Sequence, residues 1–248
     1  MALEGKTAIV TGGGRDIGRA CALALAARGA KVVISYHSSS AGADSVVQEI
    51  ASHGGTARAI HCDLTTQQGV DALVEAAEAL SGQVDILVNN TGGLVARKTM
   101  AEIDLGHWQT VMDLNLTSTF MMTKACLPLM GKGSTIINFS SLAGRDGGGP
   151  GAVAYATAKG AIMTMTRGLA KELGPDIRVN ALCPGMISTG FHDTFTPDAA
   201  RKNVAAATPL KREGNPREIG ETVAFLASEE SGFINGACID TNGGVAFS

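Results

Sequence analysis

Thr7-Ala8-Ile9-Val10 is a short, apolar, largely β-branched run. It leads directly into Thr11-Gly12-Gly13-Gly14-Arg15-Asp16-Ile17-Gly18, and an alanine- and leucine-rich stretch then continues to Arg28 before Gly29 stops it. The order is strand, glycine turn, helix. Few folds tolerate it at a chain's start, because the glycines bring backbone close to whatever occupies the turn. The helix N-terminus adds unpaired N–H groups and the positive end of a dipole, so the unit is built to cradle a phosphate.

The same alternation repeats along the chain. Strands are expected over Lys31–Ser35, Thr56–Cys62, Asp85–Val88, Thr135–Phe139, Ile177–Leu182 and Ala237–Asp240. Helices are expected over Asp44–His53, Gln67–Ser81, Leu105–Met130, the stretch from Tyr155 to Leu173, and Pro216–Ser228. Pro128 marks the end of the long central helix, and Gly174-Pro175 stops the next. Alternating strands and helices predict a doubly wound α/β fold of the Rossmann type, with a parallel sheet of seven strands and helices on both faces. The strands read as continuous apolar runs, as they should when both faces are buried. No linker, composition shift or low-complexity block interrupts 1–248, so a single domain is expected.

In such a sheet ligands lie beyond the carboxyl ends of the strands. Small polar and glycine residues gather there: the glycine loop after the first strand, Asp63-Leu64 after the third, and Asn89-Asn90-Thr91-Gly92-Gly93 after the fourth. Ser140-Ser141 follows the fifth strand and Pro184-Gly185-Met186-Ile187-Ser188-Thr189 the sixth. Ordinary loop chemistry explains any one of these clusters but not all five.

Tyr155 and Lys159 are four residues apart in a run of small helix formers, hence on one helix face. An ammonium beside a phenol favours the phenolate, so the tyrosine pKa is expected to fall and its hydroxyl to become a usable proton donor or acceptor. Taken alone, such a pair is commonly no more than a half-buried tyrosine beside a solvated lysine. Its place in the larger pattern gives it weight.

Over essentially its whole length the chain resembles the short-chain dehydrogenase/reductase family, and within it the 3-oxoacyl-acyl-carrier-protein reductases. The resemblance rests on Thr11-Gly12…Gly18, Asn89-Asn90-Thr91-Gly92, Asn115, Ser141, Tyr155-x-x-x-Lys159, Pro184-Gly185 and the closing Ile239-Asp240-Thr241-Asn242-Gly243-Gly244. It implies reversible hydride transfer between a nicotinamide and a carbonyl or secondary alcohol carbon. By the family pattern Tyr155 is the general acid in reduction and the base in oxidation. Lys159 lowers the tyrosine pKa and holds the nicotinamide ribose, Ser141 hydrogen-bonds the substrate oxygen, and Asn115 supports a water-linked proton path to Lys159. Ser140 and Ser141 are neighbours that face opposite ways; the family pattern selects the second.

The resemblance also implies the cofactor contacts: Gly12, Gly14, Arg15, Asp16, Ile17 and Gly18 in the glycine loop, Tyr36, Ser38 and Ser39 after the second strand, and Asp63 and Leu64 at the adenine. Asn90, Thr91, Gly92, Tyr155, Lys159, Pro184 and Gly185 continue the set, with Ile187 and Thr189 at the carboxamide. NAD selection needs an acid at the end of the second strand to bind the ribose 2′-hydroxyl. Here the residues are Ser35-Tyr36-His37-Ser38-Ser39, with no acid before Asp44. Arg15 can instead pair with a 2′-phosphate, helped by Ser38 and Ser39, so NADP(H) is expected over NAD(H). Two residues depart from the family: Asp16 stands where glycine is usual, and Thr91 where alanine is. A carboxylate at position 16 should repel a pyrophosphate unless it is turned away or paired, with Arg15 the nearby partner.

Residues 186–216 are expected to form the mobile substrate lid, with Phe191 and Phe195 giving a partly apolar pocket and His192 read as a surface loop histidine. Arg145-Asp146-Gly147-Gly148-Gly149-Pro150 is expected to shape the other side of the cleft. An acidic carrier protein would need cations beside the cleft; Lys132 suits this, whereas Gly174-Pro175-Asp176 offers none. Reduction of a 3-oxoacyl thioester is the leading expectation, and oxidoreduction of small ketones, sugars or polyols is second. A non-catalytic nucleotide sensor on the same fold is a third, but it predicts loss of the serine, tyrosine or lysine, and all are present.

Apolar residues make up 45% and charged residues 17% of the chain, with a net charge of −3, which argues against nucleic acid or an anionic membrane as partner. The five cysteines show no metal or disulfide spacing, so no metal is expected. No run is long and apolar enough to span a bilayer, and the first residues lack a signal peptide's apolar core; a cytoplasmic protein is expected. The family habit is a homotetramer built on the long helices, and Ala161-Ile162-Met163-Thr164-Met165 suits either an interface or the core.

Overall fold

Each apolar run sends alternate residues into two different cores. In the computed structural model, which describes residues 1–247, the strands are β1 (Thr7–Val10), β2 (Lys31–Tyr36), β3 (Ala57–His61), β4 (Ile86–Asn89), β5 (Ser134–Phe139), β6 (Ile177–Pro184) and β7 (Cys238–Thr241). They form one seven-stranded sheet in the order 3-2-1-4-5-6-7, and every pair is parallel. The pleat sends Val10, Ile34, Val88 and Ile137 to a core shared with Leu25, Val223 and Leu226. It sends Ile9, Val33, Leu87 and Ile136 to a second core with Leu73 and Met122. Both faces are therefore covered, the arrangement that parallel strands require. The chain reverses direction of strand order between β1 and β4, which places a crevice at the carboxyl ends of those two strands.

The helices are α1 (Asp16–Ala27), α2 (Ser40–Ser52), α3 (Gln67–Ser81), α4 (Leu105–Met112), α5 (Ser118–Cys126), α6 (Ala143–Asp146), α7 (Val153–Leu173), α8 (Gly190–Phe195), α9 (Asp198–Ala207) and α10 (Pro216–Ala227). Their ends have local causes. Thr66 caps α3 by accepting the Gly69 N–H at 3.1 Å, and Gly82, at φ +77°, closes it. Asn215 and Glu218 form a reciprocal capping box at the start of α10, with Pro216 in the first turn.

The expected single helix over Leu105–Met130 is not continuous. A π-helical segment, Asp113–Thr117, separates α4 from α5, and a 3-10 turn at Leu127–Leu129 ends the run. The side chain of Asn115, inside the π segment, bonds backbone outside the helix, and one widened turn lets it face that way. Ile162 and Met163 of α7 are buried in the chain's own core, while Thr164 is exposed, so that run divides between core and surface. Among the described residues, no helix is long and apolar enough to cross a membrane, and no group of three or more His, Cys, Asp or Glu is placed to hold a metal ion.

Candidate active site

The glycine loop is fastened to the neighbouring strand ends. The Thr11 hydroxyl accepts the backbone N–H of both Asn90 and Thr91 at 2.9 Å, and the Asn90 amide donates to Thr11 O at 2.9 Å. Gly12, at φ +64°, donates its N–H to Ser35 Oγ at 2.9 Å. Gly18 admits no side chain: a Cβ there would stand 2.1 Å from the Gly12 carbonyl oxygen. Arg15 precedes α1 without capping it, so the helix's first N–H groups are left for a ligand. Asp16 holds a left-handed backbone, φ +52°, and its carboxylate is paired rather than free. It lies 3.8 Å from Arg15 Nε and accepts the Gly190 N–H at 3.2 Å.

Asn115 is fully buried beyond β4. Its amide grips Gly93 at both backbone groups, accepting the N–H at 3.0 Å and donating to the carbonyl at 2.8 Å. A Cβ at Gly92 would come 2.6 Å from Asn115 Oδ1 and 3.0 Å from Lys159 Nζ, so glycine is needed where these two side chains converge on the backbone. A buried network holds α7 to the strands: Asn89 Nδ2 donates to Asn138 Oδ1 at 2.9 Å, and Asn138 Nδ2 donates to Thr166 Oγ1 at 3.0 Å.

Tyr155 and Lys159 share the inward face of α7. Lys159 is 3% exposed; its ammonium donates to the Phe139 carbonyl at 2.8 Å and lies 5.7 Å from the Tyr155 ring centre. The two serines after β5 are in different situations. Ser140 is buried and donates to the Lys159 carbonyl at 2.7 Å. Ser141 is partly exposed, accepts the Ala143 N–H at 3.1 Å, and is the hydroxyl that acts on Tyr155.

The electrostatics differ from the sequence expectation. Burial pushes the Tyr155 phenol up, and the Ser141 hydroxyl only partly offsets this. Burial pushes Lys159 down to about 8. The ammonium is turned to a backbone carbonyl, and desolvation dominates the phenol.

The lid region carries α8 and α9. Phe191 lies against Tyr155, with ring centres 6.0 Å apart, and against Phe195 at 5.2 Å. Arg201 ties the region together, pairing with Glu213 and Asp193 and donating to Ser188 Oγ at 3.0 Å. His192 is not a surface loop residue: it is a half-buried member of α8, bonded through Nδ1 to Thr196 Oγ1 at 3.0 Å. Burial, followed by the Arg201 charge, pushes its pKa down.

Two charged residues lie elsewhere than expected. Lys132 precedes β5 and so sits at the amino edge of the sheet, away from this chain's cleft. A cation that does lie at the mouth of the cleft is Arg97, which donates to Phe195 O at 3.0 Å and to Pro150 O at 2.9 Å, joining the lid to the Gly147–Gly151 loop. Nothing in the sequence singles it out. Arg145 turns from the cleft to Asp240 of β7 at 2.6 Å. A cavity of about 860 Å³ opens beside that pair, lined also by Leu210, Thr241 and Phe247, and includes none of Ser141, Tyr155 or Lys159.

The remaining sequence candidates occupy the same sheet edge. Tyr36 ends β2 and packs against His61 of β3 at 5.4 Å between ring centres; Ser38 is exposed, with Ser39 beside it. Asp63 is exposed, and hydrogen bonds from Thr65 lower its pKa. Leu64 is buried. Pro184 and Gly185 leave β6, and Ile187 and Thr189 are buried below α8. A bare cradle, free helix N–H groups, polar groups at the β2 end and a buried lysine beside a tyrosine fit a nicotinamide dinucleotide laid across this edge.

A family model described as enoyl-(acyl carrier protein) reductase matches residues 12–246. The chain is 39% identical to a 3-oxoacyl-[acyl-carrier-protein] reductase of Synechocystis, over 98% of each chain. Among solved structures, a blue fluorescent protein from a metagenomic library, in complex with NADPH, is 36% identical with a TM-score of 0.92 over 100% of both chains. A short-chain dehydrogenase/reductase from Brucella melitensis, named as a glucose/ribitol dehydrogenase, is 32% identical with a TM-score of 0.93, covering 100% of this chain and 99% of that one. With this match along its length and this arrangement at its sheet edge, the chain belongs to the short-chain dehydrogenase/reductase family, NAD(P)-dependent enzymes that interconvert carbonyl and alcohol groups.

Proposed function

We propose that this enzyme is an NADP(H)-dependent reductase of a 3-oxoacyl thioester, with Tyr155 as general acid in reduction and base in oxidation. The observation that carries the reading is the convergence of Ser141, Tyr155 and Lys159 beside the glycine cradle. The bound nicotinamide would supply or accept the hydride. Tyr155 Oη and Ser141 Oγ both address the carbonyl oxygen, where negative charge develops, and Tyr155 delivers the proton. A phenol held protonated by burial suits the reducing direction. Lys159 would hold the ribose hydroxyls of the cofactor, and Asn115 fixes the Gly93 backbone beside it. Phe191 and Phe195 supply an apolar wall beside Tyr155 and exclude water.

Preference for NADP(H) is supported by the β2 end, which carries Tyr36, Ser38 and Ser39 and no acid, and by the exposed Arg15 side chain. The NADPH complex of a similar structure agrees with it. The thioester substrate is supported by the reductase relatives, and Arg97 offers an acyl carrier protein a cation at the cleft. A second reading is oxidoreduction of small ketones, sugars or polyols. It is favoured by the closeness of Phe191 to Tyr155, which narrows the cleft, and by the glucose/ribitol dehydrogenase name of the Brucella relative. We also take residues 1–248 as one catalytic unit with a lid over 186–216. Initial rates with NADPH and NADH against a 3-oxoacyl thioester, a small aromatic ketone and an aldose test the assignment. Thioester turnover preferring NADPH is expected; turnover of the aldose or ketone alone would replace the substrate, and preference for NADH would overturn the cofactor.

A further inference from the structure

Helix α8 is six residues long, too short to be stable without help. Its first N–H groups need acceptors, and its own N-cap does not provide one: the Thr189 hydroxyl donates backwards to the Ile187 carbonyl at 3.1 Å and makes no capping bond. The acceptor comes from the glycine loop, 174 residues away in sequence, where Asp16 Oδ1 receives the Gly190 N–H at 3.2 Å. A carboxylate there also meets the positive end of the helix. The rest of the lid is held differently. Arg201 bonds Ser188, Asp193 and Glu213, and Arg97 bonds Phe195 at the far end of α8.

Asp16 makes this bond from an unfavourable backbone. At φ +52° a residue with a Cβ is disfavoured, and glycine would sit there freely. The carboxylate is also kept out of the cradle, since Arg15 flanks it and Gly190 engages it. We propose that Asp16 is a positioning residue that caps lid helix α8 from the cofactor cradle and thereby holds Phe191 against Tyr155. The cradle and the substrate wall then form one connected unit, so that substrate affinity depends on a residue in the phosphate loop. The kinetic consequence rests on the role given to Tyr155; the structural consequence does not.

Hydrogen–deuterium exchange on the full chain separates the two. Asp16→Gly removes the acceptor and suits the backbone angle. Gly190→Pro removes the donor, and proline fits a first helical turn after Thr189, whose φ of −148° and ψ of 159° suit a residue preceding proline. Asp16→Asn keeps a side-chain carbonyl and tolerates the left-handed region. Amides over 191–196 are expected to exchange about fivefold faster in Asp16→Gly and Gly190→Pro, as loss of one hydrogen bond implies, and at nearly the wild-type rate in Asp16→Asn. Protection of the β1, β4 and β5 amides should be unchanged in all three, which controls for folding. In turnover, Asp16→Gly should raise substrate KM more than it lowers kcat, with Asp16→Asn restoring KM. Wild-type exchange of the lid in Asp16→Gly, or loosening in Asp16→Gly without loosening in Gly190→Pro, would overturn the cap. A wild-type enzyme that reduces no carbonyl would instead remove the role of Tyr155 and leave the exchange result standing.

Discussion

The Lys159 ammonium is buried with one hydrogen bond, to Phe139 O, and its pKa is held at about 8 instead of 10.5. The sign of the consequence follows from linkage. Below pH 8 the folded chain bears the full cost of a buried charge; between 8 and 10.5 the unfolded chain binds more protons, so stability rises with pH across that window. Lys159→Met should therefore raise Tm at pH 7, by an amount worth about 1 kcal/mol, while abolishing turnover. The gain should shrink as pH climbs through that window in thermal melts, and a Tm advantage independent of pH would show the charge is not its cause. Tyr155 carries the opposite shift, since burial favours the neutral phenol. Tyr155→Phe should lower kcat by roughly 10²–10⁴ and leave the Kd for NADPH close to wild type. Ser141 is distinguished from Ser140 by what each does: Ser140 is committed to the α7 backbone, whereas the Ser141 hydroxyl is the one that lowers the Tyr155 pKa.

At the scale of elements, the π segment within Asp113–Thr117 aims Asn115 at Gly93. Asn115→Ala leaves both half-buried Gly93 groups without these partners and should destabilise the fold by about 1–3 kcal/mol in urea titration, with a drop in kcat. Asn215→Ala offers the contrast: loss of the α10 capping box should cost about 1 kcal/mol and leave kcat unchanged, because the bonds it makes, to Arg217 and Glu218, stay within the first turn of α10. If both variants lost activity in proportion to stability, Asn115 would be merely structural. Most elements are legible in the sequence because strand runs and helix stops obey local rules, as at Thr66, Gly82 and Pro216. The π segment is not: its cause is the tertiary bond to Gly93, and its one signal is an asparagine among leucines in a helical pattern. Helix α8 is equally hidden within the expected lid, because six residues carry little periodicity and its cap comes from Asp16.

Over the whole molecule, β1, β4, β5 and β6 bring their carboxyl ends together, and that edge is readable from residue type alone. The contacts between loops are not. Arg97 to Phe195, Asp16 to Gly190 and Phe191 to Tyr155 each join segments far apart in sequence, and no spacing rule announces them. Surface exposure bears on assembly: Phe120 on α5 is 52% exposed beneath Lys124, and Phe233 is fully exposed. Light scattering is expected to give four times the chain mass, and Phe120→Asp to dissociate the assembly; a monomeric wild type would refute a tetramer. If Tyr155 moves the proton in an NADPH-dependent reduction, binding and turnover must separate when NADPH binding by fluorescence and single-turnover NADPH oxidation are compared in wild type and Tyr155→Phe, with the preferred carbonyl substrate. Equal binding with turnover lost in the variant is the predicted result. Turnover in the variant within tenfold of wild type would contradict it.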